Sequence, residues 1–161
     1  MATAISTDLA AVIGMAPAAL TPWREGLWHI ADSEWAHCHW DPQAARLCLK
    51  LAAAQWSVGA NSPRLFWPGV WLVFEHVHGQ EGPVKQAFGR IREGGWRVAG
   101  ERASPTLAWP LQGVPNPADS HGTPRLHWQI ELAQGDSLQW RCERVEAWRP
   151  TDSEAKAWLH C

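Results

Sequence analysis

Between Arg125 and Trp148 the chain reads RLHWQIELAQGDSLQWRCERVEAW, and its period of two restricts the fold more than any other stretch. Leu126, Trp128, Ile130 and Leu132 take every second position, and Arg125, His127, Gln129 and Glu131 fill the gaps. Successive side chains of a strand point to opposite faces, so this is a strand with one dry face and one wet face. Gln134-Gly135-Asp136 follows, with a glycine able to adopt positive φ, and then Leu138, Trp140 and Cys142 alternate with Gln139, Arg141 and Glu143. A hairpin is expected. Past Cys142 the apolar phase slips by one residue, to Val145 and Ala147, which predicts a β-bulge.

The first half repeats the theme. GLWHIADSEW and AHCHW lead through a turn at Asp41-Pro42-Gln43 into RLCLKLAAAQW, where Leu47, Leu49 and Leu51 alternate with Arg46, Cys48 and Lys50. This predicts a meander, with a helix over Ala52, Ala53 and Ala54 as the competing reading, alanine being the best helix former. From Val70 to Phe74 every residue is apolar, as in a central strand covered on both faces. Three helical signals interrupt the β pattern. Ser6 or Thr7 caps LAAVIGM within an N-terminal helical segment over residues 1–22. Val84, Ala87, Phe88 and Ile91 follow Pro83 at helical spacing, and Thr151-Asp152-Ser153-Glu154 is a capping box opening a short C-terminal helix over residues 151–161. NPADSHGTP, residues 116–124, has little to bury and reads as an exposed loop. The expectation is a single domain over residues 1–161 of the α+β class, mainly antiparallel β (a sandwich or a strongly bent sheet) with a few short helices.

Charge narrows the partners. Fourteen basic and 16 acidic side chains nearly cancel, so no field is present to hold a nucleic-acid backbone or an anionic membrane, and neither is expected as a partner. No Lys or Arg precedes the apolar part of the N-terminus and Asp8 sits where a signal peptide wants positive charge, so a cytoplasmic protein is expected. Cys38, Cys48, Cys142 and Cys161 form no CxxC pair and read as reduced thiols.

Histidines supply the candidate chemistry. His37 with His39, and His76 with His78, are i, i+2 pairs that a strand would place side by side on one face, the start of a metal site. Glu81 is the nearest third ligand. The run from Gly69 to Gly89 is similar to the first cupin motif, in which glycine, a His-x-His pair, a glutamate and a glycine recur along a barrel edge. That resemblance implies a metal-dependent enzyme holding its ion on His76, His78 and Glu81. The intervals differ from the motif by about one residue each, and the family's second motif does not follow His78. The competing reading is that His76 and His78 extend the Leu72 and Phe74 face to the edge of the core, and that His37-Cys38-His39 is a solvated strand surface. Cys38 points away from its two histidines and reads as a small core residue rather than a nucleophile. No Gly-x-Ser-x-Gly elbow or phosphate-cradling glycine loop occurs. No catalytic residue and no cofactor is assigned.

Thirteen tryptophans, three phenylalanines and no tyrosine put aromatic packing on one residue type. A core this size does not hide them all. Trp35, Trp56, Trp67, Trp96, Trp109 and Trp148 sit at strand ends or beside prolines, where an exposed indole anchors a protein partner or stacks on a sugar. The order of an apolar strand ending in FEHVHG, a mixed middle and the hairpin ELAQGDSLQWRCERVE resembles small β-rich bacterial immunity-type proteins. What the resemblance implies is a cytoplasmic, non-enzymatic binder that neutralises another protein by occluding it. The expected function is that of a protein-binding module, inhibitor or immunity-like, with a cupin-like enzyme and a carbohydrate-binding module as the alternatives.

Overall fold

The computed structural model describes residues 20–23, 25–81, 89–98, 100–109, 125–150 and 158–159. The described chain is all-β. Its strands are β1 (Leu20–Pro22), β2 (Gly26–Asp41), β3 (Arg46–Ser57), β4 (Leu65–Glu75), β5 (His78–Glu81), β6 (Gly89–Val98), β7 (Thr106–Trp109), β8 (Leu126–Leu132), β9 (Ser137–Cys142), β10 (Arg144–Pro150) and β11 (Trp158–Leu159). They form one antiparallel sheet in the order β1-β10-β4-β3-β2-β6-β8-β9-β5, with β7 on β2 and β11 on β4, curled into a half-barrel around the core.

The α+β expectation is therefore corrected to all-β. Leu20–Pro22, inside the expected N-terminal helical segment, is a strand on β10, and Trp158–Leu159, inside the expected C-terminal helix, is a strand on β4. Residues 1–19 and 151–157 lie outside the described residues, as do 82–88 and the 116–124 loop. Ile91, the last position of the third expected helix, opens the pairing of β6 with β8 opposite Leu132. Cross-strand burial overrides a 3.6-residue spacing, because Ile91 reaches full burial as a rung of the sheet. Ala53 and Ala54 are likewise strand residues, opposite Pro68 and Trp67.

Curling depends on three local breaks. The first is the phase slip after Cys142, which is a corner rather than a bulge within one ladder. β9 pairs with β8 up to Cys142, Glu143 intervenes, and β10 pairs with β4 from Arg144. The second lies opposite it, where His76 (φ 56°) and Val77 separate β4 from β5, and the two corners are joined by Glu143 N donating to the Glu75 carbonyl at 3.1 Å. The third is a bulge in β2 between His29 and Glu34, where Asp32 takes φ 68°. This break lets one strand serve two neighbours: its first half pairs with β7 and its second with β6. Ser33 pins it. Its fully buried Oγ accepts from Trp28 Nε1 (3.1 Å) and from Gln55 N (3.0 Å) and donates to the His29 carbonyl (3.0 Å).

The core follows the alternation. Leu47, Leu49, Leu51, Val70, Leu72, Phe74, Leu126, Trp128, Ile130, Leu138, Trp140 and Cys142 face inward, while Cys48, Trp71, Val73 and Trp148 form a second buried cluster on the other face of β3, β4 and β10 with Leu20. Both faces of Val70–Phe74 are thus covered, and β4 lies between β3 and β10. Replacing Ser33 by Ala strands two buried N–H donors, so Ser33→Ala is expected to cost about 3 kcal/mol. Urea unfolding should show a lower midpoint with an unchanged slope; an unaltered midpoint would mean that the bulge is held by something else.

Candidate functional site

Register places the polar positions of the hairpin beside those of two further strands. Arg97, His127, Arg141 and His78 are successive cross-strand partners on β6, β8, β9 and β5. Two residues along, Gly95, Gln129 and Gln139 form a second row, joined by Glu81, three residues from His78 across a register shift, and Glu93, Glu131 and Ser137 form a third. Strands lie about 4.8 Å apart, so four of them make a face about 14 Å wide, with rows about 7 Å from one another. One end of the face is cationic, the middle carries amides and the far end carries carboxylates.

This face, turned away from the core, borders a cavity of about 590 Å³. His78, Arg97, His127, Gln129, Gln139 and Arg141 line it, together with Glu93 and Glu131. Gly95 lies on this face beside Gln129, and Gly94 faces the core beside Ile130. A Cβ at Gly94 would overlap the Ile30 side chain, and one at Gly95 would sit 3.2 Å from the Ser104 carbonyl, so neither position accepts a side chain without movement.

The site stands on the alternate positions of the same strands. Trp96, Trp128 and Trp140 are cross-strand partners on the inner face, with ring centroids 6.2 Å apart at both steps, and Phe74 meets Trp128 and Trp140 edge-on at 5.0 and 5.1 Å. Trp28 adds a fourth indole at 6.1 Å from Trp128. Such contacts fix the backbone that carries the polar rows.

Electrostatics separate this face from its surroundings. Arg97 and Arg141 have no carboxylate partner among the described residues, whereas Arg46 and Arg144 both pair with Glu75, Arg90 with Asp32 and Arg92 with Glu131. Partial burial, followed by the Arg141 and Arg97 guanidinium groups, holds the His127 pKa below the ordinary histidine value. His29 is also lowered, by burial and then by Arg64, and hydrogen-bonds Ser57 Oγ at 2.8 Å.

The residues singled out from sequence scatter. His76 sits at the corner between β4 and β5, where its positive φ ends the extended geometry that would set it beside His78, and its Nε2 faces Glu143 at 3.7 Å. His78 instead joins the cationic row. Glu81 pairs with Gln139 through its backbone, and its side chain lies outside the described residues. Among the described residues no three His, Cys, Asp or Glu side chains converge as metal ligands. His37 and His39 share an exposed face of β2, opposite Lys50 and Cys48. Cys38 points the other way, and burial pushes its thiol up to about 12. Cys142 is likewise pushed up to about 12 and Cys48 to about 11.

Of the six tryptophans expected at a surface, Trp35, Trp56 and Trp148 are buried, which leaves them no contact area in this fold. Their sequence neighbours were misleading because strand ends here are packed: Trp56 stacks on Trp23 at 3.6 Å and donates Nε1 to the Glu25 carbonyl. Trp67 and Trp96 are half-buried, and the side chain of Trp109 lies outside the described residues. The hairpin's own wet positions held the missed signal, since the Gln134-Gly135-Asp136 turn sets His127 against Arg141 and Gln129 against Gln139. The long-range partners β6 and β5 carry no such local mark.

No family model, no curated protein and no solved structure matches this chain.

Two outcomes follow from these groups. His29 and His127 have depressed folded pKa values, so as pH falls past about 6.5 the unfolded chain takes up protons first. Their contribution is whole above that pH and is lost as pH drops towards the folded values. The urea midpoint is expected to fall between pH 7.5 and 5.5, and to fall less in a His29→Asn/His127→Gln chain; an equal fall in both chains would contradict this assignment. Thiols raised to about 11 and 12 carry almost no thiolate at pH 8. A Cys161→Ser chain should therefore react with an aromatic disulfide much more slowly folded than in urea, and prompt release by the folded chain would be inconsistent with burial of the thiols.

Proposed function

We propose that the chain is a non-enzymatic protein-binding module, inhibitor or immunity-like, which acts in the cytoplasm by occluding a partner protein with the outer face of β6, β8, β9 and β5. The observation that supports this is the cavity of about 590 Å³ bordered by three ordered polar rows on a rigid sheet. That volume suits a few residues of an inserted chain segment, and a face of amides and charges on an indole-packed base recognises by hydrogen bonding with little loss of side-chain and backbone freedom. The raised thiol pKa values favour binding over nucleophilic chemistry. Among the described residues no helix is long and apolar enough to cross a membrane. A carbohydrate site built on exposed indoles gains less support, since the described tryptophan side chains are buried or half-buried.

The test compares three immobilised forms of the full chain in a lysate of the cell that encodes it: the wild type, Gln129→Glu/Gln139→Glu on the proposed face, and Glu146→Arg on β10. One protein should be retained in about equimolar amount by the wild type and Glu146→Arg and lost from the double variant. Retention of nothing, or equal retention by all three, would falsify the proposal.

A further inference from the structure

Arg97, His127, Arg141 and His78 stand in one cross-strand row, and the cavity opens directly above them. Directly opposed strand residues have Cβ atoms about 5 Å apart, so Arg97 and Arg141 flank His127 on its two neighbouring strands. Arg97 and Arg141 are two strands apart, about 10 Å, with His127 between them, so they repel weakly and both gain from a group that compensates them. No carboxylate does so among the described residues. Guanidinium geometry is suited to two-pronged hydrogen bonding with a carboxylate, and His127 between them contributes an uncharged imidazole.

Resting on the binding reading above, we infer that this row is the seat for a carboxylate of an acidic segment of the partner protein, with Arg97 and Arg141 as its two clamps. The segment continues over Gln129 and Gln139, whose side-chain amides both donate and accept and so match an extended peptide backbone. Glu93, two rows beyond Arg97, repels further acidic residues, whereas Glu131 is paired with Arg92, so the favoured negative charge lies at the arginine end of the segment. The site thus reads direction as well as charge. Recognition comes from charge complementarity and register, with no exposed indole needed.

The probes are acetyl-Asp-Glu-Asp-amide, its neutral counterpart acetyl-Asn-Gln-Asn-amide and inorganic phosphate, each titrated into the folded full chain while the histidine ring signals are followed by NMR. The acidic peptide is expected to shift His127 and His78 and to bind at least about tenfold more tightly than the neutral one. Arg97→Gln and Arg141→Gln should each remove about tenfold of that affinity, and added salt should weaken it. A fold check on each variant by urea midpoint keeps loss of binding apart from loss of structure. The inference fails if the neutral peptide binds as well, if phosphate binds in place of the peptide, or if folded variants bind as the wild type does. Its failure is separable from that of the binding module: a partner retained undiminished by Arg97→Gln/Arg141→Gln leaves the module standing and removes the carboxylate seat.

Discussion

The stack of Trp96, Trp128 and Trp140, with Phe74 set edge-on against it, is the interaction on which the rest of the structure depends. Each ring fills a large inward position on a different strand, and each aromatic pair adds about 1 kcal/mol to the area it buries. The stack also fixes which residues face outward. A period-two strand cannot move its dry face without moving its wet one, so holding Trp128 against Trp140 holds His127 against Arg141 and Gln129 against Gln139. Core and site are therefore one constraint seen from two sides. The same use of indole as volume has a cost: Trp35, Trp140 and Trp148 bury Nε1 with no hydrogen-bond partner among the described residues. Burying an indole's apolar area outweighs that penalty when the ring is fully enclosed.

Curvature is set where the strands break. An uninterrupted sheet would carry β9 straight on past Cys142, and the cationic row would continue into a flat surface. The corner at Glu143 and its partner at His76 and Val77 turn the chain instead, and the Glu143 to Glu75 backbone hydrogen bond keeps the two turns together. On the far side the Ser33-pinned bulge divides β2 between β7 and β6. Residues that look irregular in a strand, a histidine and an aspartate at positive φ and a buried serine, are thus the ones that give the sheet its shape.

What was legible in the sequence was local and periodic. The Arg125 hairpin and the doubly covered Val70–Phe74 have their inward and outward residues where alternation puts them, and GLWHIADSEW and AHCHW pair with RLCLKLAAAQW with the alternation broken at the bulge between His29 and Glu34. The helical expectation at Ile91 failed for a physical reason. Spacing of four apolar residues is compatible with a helix, but Ile91 gains full burial beside Leu132 only as a strand residue, and that contact is 41 positions away in the chain. The candidate site was half legible for the same reason. Its β8 and β9 rungs lie within one hairpin, whereas Arg97 and His78 enter through pairings that no short stretch records. The His-x-His spacing presupposes a strand through His76, and β4 ends at Glu75 with His76 at positive φ.

Register has opposite electrostatic consequences on the two halves of the sheet. Across β2, β3, β4 and β10 it lines up Asp41, Arg46, Glu75 and Arg144, an alternation of sign in which Arg46 and Arg144 both reach Glu75, at 3.7 and 2.7 Å. Across β6, β8, β9 and β5 it lines up Arg97, His127, Arg141 and His78, with no acidic member. Balanced ladders of the first kind satisfy themselves and contribute modestly to stability at a surface. A row of the second kind gives up that contribution and, among the described residues, leaves Arg97 and Arg141 without a carboxylate partner. In a chain whose net charge is only −2, acidic side chains enough to close the second row were present. Among the described residues the acidic side chains that form ion pairs do so with partners outside this row, which is what separates the two faces.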